Sequence, residues 1–482
     1  MSLKSFATEA IEYAQKTDAD YIDVRVENLF SNQTGLRNSE TCGVNANLQR
    51  NIGIRVLYKN CWGFAASSSL NKTSIKQLVK SAFKTAKKVA AQNSAPPIKI
   101  ASIPRKKTSV ADKCKKDPQF LEQSERIELL NTISSRVKGA LPVLKMFDIK
   151  LLEEHTQKIF MNSEGIEIEQ ILIRASMFLA SILRGAGNVQ TFRTMGFGGV
   201  GGLEQFETCQ FDEFLIDYIK TLRNLTQAKL LKPKEQPVIL NEMMSWNLCH
   251  EFCHAVEYDL IQQGLSPLQN KIGTKIGSEL VTIIDDASFK GFGEYYFDDE
   301  GVKASGTLII EDGLLFDFLQ NRETAGGSKA IPTSNGRAES ALNLPEVRQS
   351  NTFFEPGNHS FEELLESTRS GLFVSDTFGA TADISTGSFQ LDAQFGRKIE
   401  RGELGDYVVG FSITGNLYHV LGDVVGISKT LGSYPSFCGK NGQLVPVGAI
   451  SPKLALKRIN VISTTKQRSL RKIDFKEVRS NS

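Results

Sequence analysis

The segment NLCHEFCHAVEYD, residues 247–259, holds two of the chain's five histidines. His250 and His254 are four residues apart, so on an α-helix both imidazoles project from one face and can reach a single ion. Glu251 lies about 100° around the helix from His250, close to that ion without having to bind it. This is the HExxH arrangement of zinc peptidases, in which two neutral imidazoles hold zinc and the glutamate accepts a proton from water. The segment therefore predicts zinc-assisted hydrolysis.

A helix is needed to place these side chains. Asn241 follows the apolar run PVIL and can cap a helix that begins at Glu242. The acid of Glu242 also suits the positive N-terminal end of a helix. We expect this helix to run through Asp259. The alternative is a surface or core helix that carries histidines by chance, but the low histidine content of the chain makes an accidental HExxH match rare.

A catalytic zinc needs a third protein ligand and an open position for water. Downstream of the histidines, spacing leaves Glu257, Asp259 and Glu279 as candidates. Cys253, inside the motif, faces another side of the helix from His250, so we expect it to be a small buried hydrophobic residue. Spacing alone does not choose the third ligand.

Composition sets limits on the class of protein. The chain has 482 residues, of which 40% are hydrophobic and 23% charged, which is enough for two globular domains. Lysine and arginine outnumber aspartate and glutamate by 57 to 54, too small an excess to indicate a nucleic-acid or membrane surface. Seven cysteines without regular spacing argue against a disulfide framework and favour a reducing compartment, so we predict a cytoplasmic protein. No signal peptide and no apolar run of the roughly 18 to 20 residues that a membrane span needs is visible.

The order of predicted elements gives an α+β protein with two domains. In the first half, an opening amphipathic helix and the helical segments TSIKQLVKSAFKTAKKVAAQ and QSERIELLNTISSRVKGA flank strand-like segments, which predicts a mixed or antiparallel sheet. Two prolines in KLLKPKEQPVIL place a boundary near Leu231, giving domains 1–230 and 231–482. Beyond it, the histidine helix precedes short strands between glycine-rich turns, which predicts a largely antiparallel, barrel-like domain that carries the metal-binding helix.

A glycine-rich segment, MGFGGVGGLEQFETC, contains Gly196, Gly198 and Gly201 in the spacing GxGxxG. A dinucleotide-binding loop needs a preceding strand, a following helix and an acid about 20 residues later. Only the following helix is convincing here. A flexible or backbone-lined loop is therefore favoured, and a nucleotide-dependent oxidoreductase is the least favoured function.

Several further segments resemble, in their order along nearly the whole chain, the TldD/PmbA family of metallopeptidases, and in particular its TldD-like, metal-carrying branch. They are NIGIRVLYKNCWGFAASS, KIGSELVTIIDDASFKGFGEYYFDDEGVKASGTLIIEDGLL, PTSNGRAES, RQSNTFFEPGNHSFEELLES, ADISTGSFQ and SFCGKNGQLVPVGAISPKLALKRINV. One departure is the spacing of the histidines: the family motif is commonly HExxxH, and this chain reads HEFCH.

The resemblance implies the rest of the site. TldD-like proteins complete the zinc site with the cysteine that begins the segment CGKNGQLVPVG, here Cys438, and zinc favours thiolate. Glu251 would then be the general base. By residue chemistry, Arg337, Asn335 and His419 are candidates to stabilise the oxyanion of the reaction. Arg337 could equally be an ion-pair or backbone clamp, and Asn335 could belong to a tight turn.

The resemblance also implies a substrate and an assembly. The substrate would be an unfolded or short peptide, bound extended in a cleft by strand addition. The chain would form a homodimer, or a heterodimer with a metal-free PmbA-like subunit, with dimer contacts and the cleft in the N-terminal domain. We predict neither a nucleic-acid nor a membrane partner. Two alternatives stay open: a metal-free peptide-binding or scaffolding subunit, and a zinc hydrolase that acts on amide bonds in small molecules.

Overall fold

The structure, a computed structural model, describes residues 2–92, 97–184 and 190–464. The helices within these ranges are α1 (Leu3–Ala14), α2 (Lys72–Ala90), α3 (Gln123–Ala140), α4 (Cys209–Leu225), α5 (Glu242–Cys253), α6 (Tyr258–Gln262), α7 (Arg322–Ser328), α8 (Phe361–Thr368) and α9 (Leu417–Val420). The first three confirm the helices predicted in the N-terminal half. None of the helices in the described ranges is both long and apolar enough to cross a lipid bilayer.

A seven-stranded sheet forms the first half of the chain. Its strands are β1 (Tyr21–Arg37), β2 (Glu40–Tyr58), β3 (Cys61–Ser67), β4 (Lys107–Ala111), β5 (Leu144–Asn162), β6 (Glu167–Arg184) and β7 (Gln190–Val200). They follow the order β3-β2-β1-β5-β6-β4, with β7 also paired to β6, and only the β4–β6 pair is parallel among them. The prediction of a helix-flanked mixed sheet is confirmed.

Two hydrophobic clusters explain why helices flank this sheet. Apolar side chains of α1 and α2 pack on β1 and β2, and those of α3 and α4 pack on β5 and β6. The sequence of α2 explains its position. The side chain of Asn71 caps the helix by accepting a hydrogen bond from the nitrogen of Ser74, and the buried residues recur at helical spacing while the lysines face solvent. The opposite face of the sheet carries Arg25, Arg55 and Arg174, which bind groups of the second half.

Most strands of the second half form one twelve-stranded sheet. They are β8 (Lys229–Leu230), β9 (Lys234–Leu240), β10 (Ile283–Asp286), β11 (Gly306–Glu311), β12 (Leu314–Leu315), β15 (Asn351–Phe354), β16 (Ser370–Ala382), β17 (Ser388–Glu400), β18 (Glu403–Val409), β19 (Phe411–Asn416), β20 (Val424–Lys440) and β21 (Gln443–Ser463); β13 (Gly336–Arg337) and β14 (Glu346–Val347) pair separately. The long strand β21 pairs with β9, β15, β19 and β20.

The barrel-like prediction for this half is not confirmed. The strand order runs from β12 at one edge to β8 at the other, and β19 joins it by pairing with both β17 and β21. The β9–β16, β15–β21 and β8–β18 pairs are parallel, so the sheet is mixed. Short strands between glycines predict neighbouring antiparallel pairs, but they carry no information on which distant strands meet. The domain boundary near Leu231 stays a prediction.

The glycine-rich segment does not have the structure of a nucleotide-binding loop. Gly196 and Gly198 lie within β7, where they pair with Phe178 and Ser176 of β6. Gly198 has a φ of 135°, and a β-carbon there would lie 2.2 Å from the carbonyl oxygen of Ala175. These glycines therefore allow close strand pairing.

Packing of α2 on β3 gives a test of the fold. A β-carbon at Gly63 would lie 2.0 Å from the carbonyl oxygen of Ala82 and 2.6 Å from the nitrogen of Ala86, both backbone atoms of α2. Because the helix would have to shift, we expect Gly63→Ala to lower the free energy of unfolding by about 1–3 kcal/mol, measured by urea unfolding.

Gly43→Ala is the matched control, since a β-carbon at Gly43 would meet no atom within 4 Å. Its free energy of unfolding should stay within about 0.5 kcal/mol of the wild type. Equal stabilities of the two variants would contradict this packing.

Candidate metal centre

Helix α5 carries the histidine motif. It begins at Glu242, and the side chain of its N-cap Asn241 accepts a hydrogen bond from the nitrogen of Met244 at 3.0 Å, as the sequence predicts. The helix lies in the C-terminal hydrophobic core, with nine of its twelve residues buried, including Cys253. A solvent-exposed helix is therefore excluded for this segment, and Cys253 is the buried hydrophobic residue that we expected.

The predicted end of α5 is wrong. The helix ends at Cys253, and residues 254–256 form a 3₁₀ turn before α6 begins at Tyr258. Tyr258 donates its N–H to the carbonyl of Leu319 at 2.9 Å, and Leu319 donates to Val256, so a distant segment draws the chain out of the helix. His254, at the C-cap with φ −61° and ψ −29°, keeps right-handed helical angles, so it still lies one turn from His250.

Three potential metal ligands meet at the end of α5. One ligand atom each of His250, His254 and Cys438 lies within 4.8 Å of the others. Cys438 is on β20, and its Sγ is 3.7 Å from Nε2 of His254. Two ligands of a tetrahedral zinc ion, with bonds of roughly 2.3 Å to sulfur and 2.0–2.1 Å to nitrogen, would lie about 3.6 Å apart. The sulfur–nitrogen separation therefore suits a shared zinc ion.

The charges around the thiol favour its anionic form. Burial opposes ionisation of Cys438, but the neighbouring His254 and His250 hold the pKa of the thiol well below its usual range. In turn, burial would lower the pKa of His254, yet Glu257 and Cys438 raise it well above the ordinary histidine value. The pair thus resembles thiolate and imidazolium, and a metal cation would replace the proton between them.

Behind His254 lies a buried set of charged side chains: Glu257 and Asp259, which spacing offered as third ligands, and Lys440. Oε2 of the fully buried Glu257 lies 3.2 Å from Nδ1 of His254 and 2.9 Å from Nζ of Lys440. Lys440 also binds Asp259 at 2.8 Å. Although burial acts in the opposite direction, His254 and Lys440 lower the pKa of Glu257 to about 2.

Backbone hydrogen bonds clamp both ligand-bearing segments to residues that follow β14. Nε2 of Gln349 donates to the carbonyl of His250 at 3.0 Å, and Arg348 donates to the carbonyl of Cys438 at 2.5 Å. Arg337 donates to the carbonyls of Gln349 and Pro446. Arg337 therefore has contacts of a backbone clamp, the alternative that the sequence left open.

A cavity of about 680 Å³ opens onto the three potential ligands. Glu251 lines it beside His250, and the ring of Trp246 packs on that of His250 with centroids 4.9 Å apart. Other parts of its wall come from β6, β7, β16 and β20, through residues that include Phe178, Met195, Thr381 and Phe437. Both halves of the chain therefore line the cavity at the candidate centre.

The remaining sequence candidates lie elsewhere. Asn335 is buried and binds Asp285 and the carbonyl of Arg348, and His419 is exposed on α9; neither lines this cavity. Glu279 forms an ion pair with Lys275 on the surface. The positions and contacts of these three residues do not favour a role for any of them in the reaction.

Comparisons with known proteins identify the family of this chain. Residues 22–86 match the description PmbA/TldA metallopeptidase domain 1, residues 116–229 match the central domain, and residues 233–463 match the C-terminal domain. The chain is 35% identical to a metalloprotease of Methanocaldococcus jannaschii, over 89% of this chain and 94% of the relative. It is 28% identical to a zinc metalloprotease TldD homolog of Saccharolobus solfataricus, over 94% and 98% of the two chains. The chain belongs to the PmbA/TldD metallopeptidase family, as the sequence motifs indicate.

Solved structures share this fold. TldE from Thermococcus kodakarensis superimposes with a TM-score of 0.76 at 20% identity, covering 95% of this chain and 100% of that one. A protein of Thermotoga maritima gives a TM-score of 0.79, also at 20% identity, over 96% and 100%.

Acid titration tests the charges behind His254. The pKa of Glu257 is about 2 in the folded protein, below its ordinary value of 4.5. Because this pKa is depressed, the ionised group contributes stability above pH 4.5 that is lost as the pH falls towards 2. In metal-free protein, we expect the stability difference between wild type and Glu257→Gln to shrink by about 2 kcal/mol between pH 7 and pH 3, measured by urea unfolding. A difference that does not change with pH would contradict the assigned charges.

Proposed function

We propose that this protein is a zinc-dependent peptidase that hydrolyses peptide bonds of unfolded or short peptides. The observation that carries the proposal is the meeting of two imidazoles and a thiol beside a carboxylate in one cavity. Membership of a metallopeptidase family supports it, as do relatives that are named metalloproteases.

The donor set fits zinc. Two histidine nitrogens and one thiolate are ligands that zinc prefers, and three protein ligands leave a position for water, as in catalytic sites. The surroundings favour the thiolate form of Cys438 before any ion binds. Nδ1 of His250 is buried and has no hydrogen-bond partner within the described ranges, so no internal bond holds this ring away from an ion.

The residues of the site have separate roles in the proposed reaction. Zinc held by His250, His254 and Cys438 would supply Lewis-acid activation of water and of the scissile carbonyl. Glu251 accepts the proton of the attacking water and delivers it to the leaving amine. Glu251 lines the same cavity as the three potential ligands, which supports this role.

An exposed strand edge supports a peptide as the substrate. β16 pairs with β17 through Ala382, but its pairing with β9 covers only residues 372–374. Beyond Val374, β16 has no second strand partner in the described residues, and this part of the strand lines the cavity. Side chains of Gln394 and Thr377 bind main-chain groups of Thr377 and Gly379, so the edge available to a peptide is residues 380–382. An extended peptide would form main-chain hydrogen bonds along this edge and place one peptide bond near Glu251. Folded proteins cannot present a bond in this way.

The other sequence predictions for this site are part of the proposal. A homodimer, or a heterodimer with a PmbA-like subunit, would further restrict access to the cavity, and a cytoplasmic location stays a prediction. A metal-free peptide-binding subunit is less favoured because all three potential ligands and Glu251 are present in one cavity.

Metal content and hydrolysis test the proposal together. We expect about one zinc per chain in the wild type, and loss of zinc in His250→Ala and Cys438→Ser, because each variant removes one of three ligands. Glu251→Gln should keep its zinc and cleave an unstructured peptide about 100- to 10,000-fold more slowly, because it loses the general base. Elemental analysis and mass spectrometry of the cleaved peptide measure the two effects.

Two outcomes would contradict the proposal. A wild type that cannot be loaded with zinc would favour the metal-free binding subunit. Cleavage that is confined to small amides, and absent for peptides of increasing length, would favour the small-molecule hydrolase.

A further inference from the structure

Glu257 and Lys440 are buried, charged and in contact with each other, and neither belongs to the proposed ligand set. We infer that they are positioning residues: Glu257 fixes the ring of His254, and Lys440 ties this carboxylate to the strand that carries Cys438. The inference rests on the proposed metal site and adds the interactions that set the geometry of the site before an ion binds.

The first of these interactions acts on His254. Its Nδ1 lies 3.2 Å from Oε2 of Glu257, and its Nε2 faces Sγ of Cys438 at 3.7 Å. When Nδ1–H donates to the carboxylate, the lone pair of Nε2 points to the proposed ion. Glu257 ends the 3₁₀ turn after α5 with an extended backbone (φ −70°, ψ 113°), and its carboxylate contacts the ring three residues earlier in the chain.

The second interaction acts from the strand of Cys438. Lys440 is two residues further along β20, and residues two apart on a strand project from the same face. Its Nζ lies 2.9 Å from Glu257, 2.8 Å from Asp259 and 2.9 Å from the carbonyl of Val347. A single ammonium group thus links the segment after α5, the end of β20 and β14.

Burial explains why the two charges must act together. Glu257 has no exposed surface and the side chain of Lys440 is 7% exposed, so each needs the other to offset the loss of solvation. Moving β20 away from α5 would separate these charges. The pair therefore resists changes in the distance between His254 and Cys438, the distance on which shared metal binding depends.

The two histidines differ in what their Nδ1 atoms contact. Nδ1 of His250 has no hydrogen-bond partner in the parts of the chain that the structure describes, and its ring is held by packing on Trp246. Within the described residues, Nδ1 of His254 contacts a carboxylate, and Nδ1 of His250 does not. Loss of Glu257 should therefore change the orientation of the His254 ring and leave that of the His250 ring unchanged.

Zinc affinity of the full-length protein tests the inference. Zinc alone is the probe, and its dissociation constant is measured by competition with a chromophoric chelator. We expect Glu257→Gln and Lys440→Met each to weaken zinc binding about 10- to 100-fold, as loss of partners of metal-binding histidines does. Because the two residues act through one contact, the double variant should be little weaker than either single variant. The visible spectrum of the cobalt-substituted protein should also change in Glu257→Gln.

Glu279→Gln is the matched control, since it removes a carboxylate from an exposed ion pair with Lys275. Its zinc affinity and cobalt spectrum should equal those of the wild type. Urea unfolding measures the folded fraction of each variant. If Glu257→Gln does not fold, the zinc affinity of Lys440→Met tests the inference.

The outcomes separate this inference from the proposed function. Folded Glu257→Gln and Lys440→Met proteins with wild-type zinc affinity and an unchanged cobalt spectrum would overturn the positioning role and leave the zinc site standing. A lower stability without these changes would show a purely structural role and would also overturn it. A wild type that binds no zinc would overturn the proposed function and this inference with it.

Discussion

The candidate centre depends on buried hydrogen bonds that hold together two segments 184 residues apart, one ending at His254 and the other carrying Cys438. Residues 347–349 bond to both: Gln349 to the carbonyl of His250, Arg348 to that of Cys438, and the Val347 carbonyl to Lys440. Because these groups are withdrawn from water, leaving any of them unpaired would cost free energy. These hydrogen bonds therefore fix the separation of the candidate ligands.

The surroundings of this connection give the centre its chemical character. α5 lies in the largest apolar cluster of the C-terminal half, so charges at its end interact strongly and are poorly screened. The cavity in front of them is lined by Phe178 and Met195 of the N-terminal sheet and by β16 and β20 of the other sheet. One half of the chain thus supplies the proposed ligands, and both halves line the cavity in front of them.

Local sequence predicted what local interactions determine. The Asn241 cap, the start of α5 and the shared face of His250 and His254 follow from helix rules, and Cys438 came only from the resemblance, because no spacing rule connects residues so distant. The end of α5 was missed because Leu319 competes for the backbone of residues 256–258. Glu257 is a candidate ligand by its spacing, and in the structure it instead contacts Nδ1 of His254, another candidate ligand. The barrel-like closure was not confirmed, since strand order depends on pairings that short apolar runs do not encode.

The central claim is that His250, His254 and Cys438 hold one zinc ion. Anomalous diffraction at the zinc absorption edge, on crystals of zinc-loaded protein, tests it most directly. We expect one strong peak about 2.0–2.1 Å from a nitrogen of each histidine and about 2.3 Å from Sγ of Cys438. The claim would be contradicted by a protein that is fully loaded with zinc but has no peak between these three residues, or by a peak whose ligands do not include Cys438.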